Sequence, residues 1–302
     1  MFYKNTVAAL GHTPMVELSH LSPSPRVHIL AKLEGYNTGG SASVKDRIAR
    51  TMIEAAERQG KLGPGKVILE ATSGNTGIAL AWLGRQKGYA VTIVMPENMS
   101  RERQRLIRLF GADLILTKAS GGVKAAIDLT LEMAARDSRY FLTDQFANPA
   151  NPEAHYQTTG VEILGDFPYQ RIDCLVCGIG TGGTITGIAR RLKEKFPNMR
   201  VFGVEPPPSD AIQGLRCLES YIPPVLDIKL LSERAKVTSE QANATTLKLL
   251  AQEGIFAGQS SGAATFEALK IASDMGEGNI VVLLPDGGWK YLSMDFWDKV
   301  AG

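Results

Sequence analysis

The sequence predicts an α/β protein of two lobes, each a mostly parallel sheet flanked by helices. Two observations support this prediction. Short β-branched runs are followed by Gly- or Ser-rich turns and then by segments with the apolar spacing of helices, which is the pattern of βαβ units. The chain has 302 residues, near the size at which one hydrophobic core stops growing, so two lobes are favoured over one.

The first series of elements contains a complete βαβ unit. In order, the pattern predicts a strand at 67–71, a turn at 72–77, an apolar helix through residue 83, a strand at 91–95, a basic helix that ends at Gly111 and a strand at 114–116. Pro96 stops the second strand, and Ser100 is a suitable N-cap for the basic helix. These elements form the predicted N-terminal lobe.

The second series repeats the same order further along the chain. It consists of a strand at 174–177, a glycine-rich turn at 178–184, a helix towards Lys195, a strand at 201–204, a helix that ends at Gly254 and a buried strand at 280–284. Thr238 and Gln241 have the spacing of a capping box at the start of the later helix. These elements form the predicted second lobe.

Composition indicates an ordinary globular protein with small-molecule partners. Hydrophobic residues make up 44% and charged residues 21%, and the net charge of +2 favours neither a nucleic-acid surface nor a membrane. With three cysteines the chain cannot build a disulfide framework, and it has no apolar run of membrane-spanning length, so we expect a cytoplasmic protein. Cys174 and Cys177 point to opposite faces of one strand, which argues against a metal or redox pair.

A glycine-rich turn follows the strand at 174–177 and has two interpretations. Gly178, Gly180 and Gly183 stand as G-x-G-x-x-G, and Glu205 closes the next strand, as in the nicotinamide dinucleotide fingerprint. Thr181 and Thr184 add hydroxyl donors, a density that suits a compact monophosphate better than a bridging pyrophosphate. The pattern indicates a phosphate site and leaves its identity open.

Three further features have both a structural and a functional interpretation. Lys45 begins a helical segment. A charged lysine there opposes the helix dipole, whereas a lysine held as a neutral imine does not. The turn at 72–77 offers hydroxyl, amide and backbone donors suited to a carboxylate, or caps a helix. The turn at 258–262 places a serine hydroxyl before another helix, where it could contact the nitrogen of a bound ring or cap the helix.

Taken together, the segments 43–47, 72–77, 180–184 and 260–262 resemble the cysteine synthase family, the O-acetylserine sulfhydrylases among the fold-type II pyridoxal phosphate enzymes. The segments 212–216 and 286–291 resemble the B-type members of that family. The resemblance implies pyridoxal 5′-phosphate as cofactor and a two-lobed fold like the tryptophan synthase β chain. Residues 41–146 would form a smaller, mobile lobe with the substrate-carboxylate loop. Residues 1–40 and 147–302 would form the larger lobe that binds the cofactor's phosphate.

The resemblance also implies a role for individual residues. Lys45 would carry the cofactor as an imine and act as base and acid. Asn75 would hold its 3′-oxygen, Ser260 would meet its pyridine nitrogen, and its phosphate would be bound by Gly180, Thr181, Gly182, Gly183 and Thr184. The substrate would be bound by Thr72, Ser73, Gly74, Thr76, Gln145 and Arg216.

The reaction implied is β-replacement of O-acetyl-L-serine or O-phospho-L-serine through an aminoacrylate intermediate, giving L-cysteine. Sulfide, thiosulfate or a protein thiocarboxylate would donate the sulfur, and the protein would be a homodimer. Alternatives are a serine or threonine dehydratase-like β-eliminase, an NAD-dependent dehydrogenase that uses the Gly178 turn, and a ligand-binding module without turnover. The segment 37–44 is longer than the family's usual approach to the lysine.

Overall fold

The structure, a computed structural model, describes residues 2–72, 74–219 and 221–300. The chain divides into two compact units. The first comprises the residues up to Gly11 together with Asn37–Asn151, and the second comprises His12–Tyr36 together with the chain from Pro152 onward. The bounds and the mobility expected for the smaller lobe stay predictions.

The regular elements alternate along the chain as the sequence predicts. The strands are β1 (Met15–Glu17), β2 (Val27–Leu33), β3 (Val67–Ala71), β4 (Ala90–Pro96), β5 (Asp113–Thr117), β6 (Tyr140–Leu142), β7 (Cys174–Gly178), β8 (Arg200–Glu205), β9 (Glu233–Lys236) and β10 (Gly278–Leu284). The helices are α1 (Lys45–Arg58), α2 (Asn75–Lys87), α3 (Arg101–Leu109), α4 (Gly122–Arg136), α5 (Ala150–Ala154), α6 (Gly160–Asp166), α7 (Gly183–Lys193), α8 (Ser239–Glu253) and α9 (Gln259–Asp274). A π-helical turn, His155–Thr159, joins α5 to α6.

The first unit is a parallel sheet with helices on both faces. Its strand order is β5-β4-β3-β6, and every pairing is parallel. Successive residues of β3 point to opposite faces: Ile68 packs with α1 and α2, whereas Leu69 packs with Ala126 of α4. Because both faces are covered, β3 reads as a continuous apolar run, and the one exception in it is Glu70.

The second unit contains the larger sheet, in the order β1-β2-β10-β7-β8-β9. β1 is antiparallel to β2, and the other neighbours are parallel. α8 and α9 contribute Leu249, Ala264 and Ala268 to the core that covers one face. The Thr238–Gln241 capping box is present at the start of α8, and Gly254 ends that helix in the left-handed conformation, as predicted.

The predicted fold class is therefore confirmed, and so are the strands that the sequence pattern identified, to within two residues at each end. Four further strands, β1, β2, β6 and β9, were outside the prediction. β1 and β6 have only three residues each, and β9 is the charged segment Glu-Arg-Ala-Lys, so neither length nor apolar alternation identifies these three strands. β2 is different, because its seven mostly apolar residues carry the pattern of a buried strand that the prediction did not include.

Candidate active site

The loop at 180–184 joins β7 to α7 in a conformation that requires glycine. Gly182 precedes α7 with φ +86°, and a Cβ atom there would lie 2.5 Å from Cβ of Leu226. A Cβ atom at Gly180 would lie 2.6 Å from the carbonyl oxygen of Gly214. Gly182, at the N-cap position, has no side chain that could cap α7, so backbone N–H groups of the first turn can bind an anion at the positive end of the helix dipole.

Two buried threonines contribute hydroxyls to this loop. Oγ1 of Thr181 accepts a hydrogen bond from the Gly183 N–H at 3.3 Å. Oγ1 of Thr184 lies 3.2 Å from Nε2 of His155, whose Nδ1 is 2.9 Å from the hydroxyl of Thr159. His155 is fully buried and fixes the Thr184 hydroxyl. The sequence assigned His155 no role, because the contact joins residues 29 positions apart.

Ser260 is buried in the first turn of α9, close to the point where α9 packs on α8. A Cβ atom at Gly262 would overlap the carbonyl oxygen of Ala242 and the hydroxyl of Thr246, so only glycine lets α9 pack this closely on α8. The Gly258 N–H donates to the Asp286 carbonyl at 3.0 Å and anchors the turn. The structure thus buries Ser260 in the first turn of a closely packed helix.

Arg216 follows the loop at Gly214 and is tied to the end of β7. Its backbone N–H donates to the carbonyl of Ile179 at 2.8 Å, one residue before Gly180. Its guanidinium lies 5.4 Å from the ring centroid of Tyr221, within cation–π range. Desolvation lowers the pKa of this half-buried guanidinium, although an arginine remains charged at neutral pH.

Lys45, in the first unit, is the first residue of α1 and is partly buried. The chain before it is fixed by Asp46, whose carboxylate accepts the N–H groups of Ser41 and Ser43, each at 3.0 Å. The Ser43 hydroxyl accepts the Lys45 N–H at 3.1 Å, and Ala42 has φ +42°. The longer segment before the lysine is therefore an ordered turn, for which Asp46 supplies acceptors that the sequence analysis did not identify.

The turn from β3 to α2 contains several of the predicted substrate residues. Thr72 and Thr76 are buried, and the Gly74 N–H donates to the Thr72 hydroxyl at 3.2 Å. Asn75 is the first residue of α2, and Ser73 lies outside the described residues. A Cβ atom at Gly74 would lie 2.7 Å from Nε of Arg103, so a buried guanidinium lies against this turn.

Gln145 lies next to the same turn, as the predicted substrate site requires. The Thr76 hydroxyl donates to Oε1 of Gln145 at 2.7 Å, and both side chains are buried. Gln145 also contacts the carboxylate of Glu70, a residue that was not predicted. The structure therefore brings Thr72, Gly74, Thr76 and Gln145 together within the first unit.

The cysteines do not form a reactive pair. Cys174 and Cys177 are free and buried, and desolvation raises the pKa of Cys174 to about 11 and raises that of Cys177 further. Within the described part of the chain no group of His, Cys, Asp or Glu side chains could hold a metal ion. No helix of that part is long and apolar enough to span a membrane.

The structure thus has a lysine at a helix start, a glycine loop whose N–H groups can bind an anion, and two mostly parallel sheets. The family model of pyridoxal-phosphate dependent enzymes matches residues 7–286, so the chain belongs to that family. Within it, the chain is 42% identical over 298 residues to the cysteine synthase of Staphylococcus aureus (strain Mu50), covering 96% of this chain and 95% of that protein. The chain is therefore a member of the cysteine synthase family, and the resemblance and its cofactor are confirmed.

Solved structures support the same placement. The crystal structure of O-ureido-L-serine synthase matches with a TM-score of 0.93 at 38% identity, covering 99% of this chain and 96% of that one. A hydrogen sulfide-producing enzyme from Fusobacterium nucleatum matches with a TM-score of 0.90 at 40% identity, covering 96% of this chain and 100% of the other. These relatives differ in what their names say they make, although they share the fold.

The described residues fit pyridoxal phosphate. The loop at 180–184 offers backbone and hydroxyl donors without Cβ obstruction, as a phosphate monoester requires. Lys45 offers a primary amine, and Ser260 offers a neutral hydroxyl at the start of a helix. These donors are those that the sequence analysis assigned to the cofactor.

Proposed function

We propose that this protein is a cysteine synthase. It replaces the β-substituent of O-acetyl-L-serine or O-phospho-L-serine with sulfide or another sulfur donor and releases L-cysteine. The observation that carries the proposal is the 42% identity to the S. aureus cysteine synthase over 96% of this chain. The match over residues 7–286 to the pyridoxal-phosphate family favours this reaction over a nicotinamide-dependent one.

The resemblance to the cysteine synthases implies the proposed roles of the residues, and the chemistry of each residue suits its role. Bound pyridoxal phosphate supplies an electron sink for negative charge at the substrate's Cα. The Lys45 amine attaches the cofactor covalently. Once the substrate amine has displaced it, the free Lys45 amine accepts the proton from Cα and later returns that proton. Because the Ser260 hydroxyl cannot keep a pyridine nitrogen protonated as a carboxylate would, it favours elimination over transamination.

The remaining residues orient the cofactor and the substrate. In the proposal the cofactor's phosphate is bound by Gly180, Thr181, Gly182, Gly183 and Thr184, and its 3′-oxygen by Asn75. The substrate carboxylate is bound by Thr72, Ser73, Gly74, Thr76 and Gln145. The buried hydrogen bond of 2.7 Å between Thr76 and Gln145 supports this second group, because it holds two of its members in register.

Arg216 is proposed to bind the leaving group. A guanidinium matches the geometry of a phosphate, and stacking on Tyr221 at 5.4 Å limits the orientations that it can adopt. O-Phospho-L-serine is therefore a donor substrate that this residue favours. The proposed sulfur donor is sulfide, thiosulfate or the thiocarboxylate of a carrier protein, and sulfide is the one to assay first.

We further propose that the protein works in the cytoplasm as a homodimer and that the lobe at 41–146 moves during turnover. None of its three cysteines, all within the described residues, forms a disulfide, which suits a reducing compartment. The carboxylate-binding turn lies in that lobe, where a movement would couple substrate binding to the enclosure of the reacting groups.

The decisive experiment is an absorption spectrum followed by product analysis. The purified protein should absorb visible light, change its spectrum with O-acetyl-L-serine, and form L-cysteine when sulfide is added. Keto acid and ammonia from L-serine, without cysteine formation, would indicate a dehydratase. A colourless protein that reduces a nicotinamide cofactor would contradict the proposal, and spectral change without turnover would indicate a binding module.

A further inference from the structure

Glu70 is a buried carboxylate beside the predicted substrate-carboxylate site, and the reaction proposed above gives it no role. It is 2% exposed and interrupts the apolar run of β3, two positions before Thr72. Burying a carboxylate costs free energy unless hydrogen bonds compensate for its lost hydration. Departures of this kind from the rules of core packing concentrate at functional sites.

The Glu70 carboxylate receives hydrogen bonds from both residues that flank Asp144. The Thr143 hydroxyl donates to Oε2, and the Gln145 backbone N–H donates to the same oxygen at 3.3 Å. Between them, Asp144 has φ +49°, in the left-handed region that Asp tolerates better than most residues with a Cβ atom. Glu70 therefore holds the segment 143–145 in this turn.

The same carboxylate fixes the side chain of Gln145. Nε2 of Gln145 lies 3.4 Å from Oε1 of Glu70 and 3.4 Å from the Ala71 carbonyl oxygen, so the amide nitrogen faces these acceptors. The amide oxygen then faces Thr76, whose hydroxyl donates to it at 2.7 Å. The Asn151 amide donates to the Gln145 carbonyl at 2.7 Å and holds the backbone from the other side.

This chain of contacts links the core of the sheet to the two residues proposed to meet the substrate. Without an acceptor at Glu70, the Gln145 amide could rotate by a half turn and present its nitrogen to Thr76. The Thr76 hydroxyl would then lose its acceptor and reorient. Each change would alter the donors that face a substrate carboxylate, although neither residue would leave the site.

We propose that Glu70 is a positioning residue that holds Gln145, and through it Thr76, in the arrangement that binds the carboxylate of the amino-acid substrate. The proposal rests on the function proposed above, because that function requires an amino-acid carboxylate at this turn. It assigns Glu70 no contact with the substrate and no part in proton transfer.

The test compares two ligands that differ in the carboxylate alone. L-Serine and L-serine methyl ester are titrated into the holoenzyme, and binding is followed by the change in the cofactor's absorption spectrum. The titrations are made at pH 8, where the Glu70 carboxylate is ionised. In Glu70→Gln the dissociation constant for L-serine should rise roughly tenfold, the effect of losing one hydrogen bond to a charged group. The constant for the ester should change much less, so the preference for the free carboxylate should disappear.

Two controls separate positioning from general damage. Glu57→Gln makes the same chemical change in the first unit, at a carboxylate that contacts Lys87 at 2.7 Å and Tyr89 at 3.0 Å, and it should keep the wild-type preference. Thr143→Val removes the hydroxyl that donates to Glu70 and should also reduce the preference, whereas Thr143→Ser should restore it. The latter pair decides the matter if Glu70→Gln does not fold.

Steady-state kinetics give a second readout. Glu70→Gln should raise the KM for O-acetyl-L-serine roughly tenfold and leave kcat and the KM for sulfide nearly unchanged. A wild-type preference for L-serine over its ester that persists in Glu70→Gln or in Thr143→Val overturns the positioning role. If the wild-type protein makes no cysteine, the proposed function fails, and the ligand comparison still decides the role of Glu70.

Discussion

The pH dependence of stability gives the sharpest physical test of Glu70. Desolvation by burial raises the pKa of its carboxyl from 4.5 to about 7, the Thr143 and Gln145 hydrogen bonds lower it, and the nearby charge of Asp144 raises it. Between these two values the folded chain binds a proton that the unfolded chain has released. The free energy of unfolding should therefore fall as the pH rises through this window, and the whole loss should be present above it.

The magnitude follows from the size of the shift. A displacement from 4.5 to about 7 corresponds to about 3 kcal/mol between the two ends of the window. Glutamine carries no titratable proton, so Glu70→Gln should lack this contribution. The difference in free energy of unfolding between the wild type and the variant should change by roughly 2 to 3 kcal/mol between pH 5 and pH 8, in favour of the variant at the higher pH.

Urea unfolding of both proteins at the two pH values measures this difference, because groups that titrate alike in both cancel. Asp144→Asn keeps a side chain that tolerates the left-handed conformation and removes the neighbouring charge, so it should reduce the pH dependence of the wild-type protein. A difference that does not vary with pH would show that the carboxyl of Glu70 titrates as it does in the unfolded chain.

Three further substitutions test the rest of the site. Gly182→Ala places a Cβ atom 2.5 Å from Cβ of Leu226, at a residue with φ +86°. The variant should be less stable than the wild type by about 1–2 kcal/mol and should lose cofactor during gel filtration. If it keeps all of its cofactor, the loop does not require glycine at this position. Lys45→Ala should form no cysteine. After borohydride reduction, mass spectrometry should show no cofactor covalently attached to the variant. Normal turnover would refute the role of Lys45. Arg216→Ala should lower kcat/KM for O-phospho-L-serine by roughly tenfold or more and leave O-acetyl-L-serine nearly unaffected, whereas equal losses would remove the phosphate contact.

Local sequence determined much of this protein. Alternating apolar strands, glycine turns and capped helices depend on neighbouring residues, and they predicted the parallel sheets and the β7–α7 loop. The motifs around Lys45 and Asn75 could also be identified from the sequence, because an imine-forming lysine and an anion-binding turn require particular residue types at fixed spacings. The resemblance to the cysteine synthases, which the comparisons confirmed, rested on these motifs.

The tertiary structure decided what the local pattern could not express. Glu70 meets Gln145 across 75 positions of sequence, and Thr76 meets Gln145 across 69, so their contacts exist only after β3 and β6 have paired. β6 and β9 are strands because a neighbouring strand supplies their hydrogen bonds. β6 has only three residues, too few to show an alternating pattern, and β9 is a charged tetrapeptide with little β preference of its own. In the sequence, Glu70 is a carboxylate in an otherwise apolar strand. Only the tertiary structure shows that Thr143 and Gln145 donate hydrogen bonds to it.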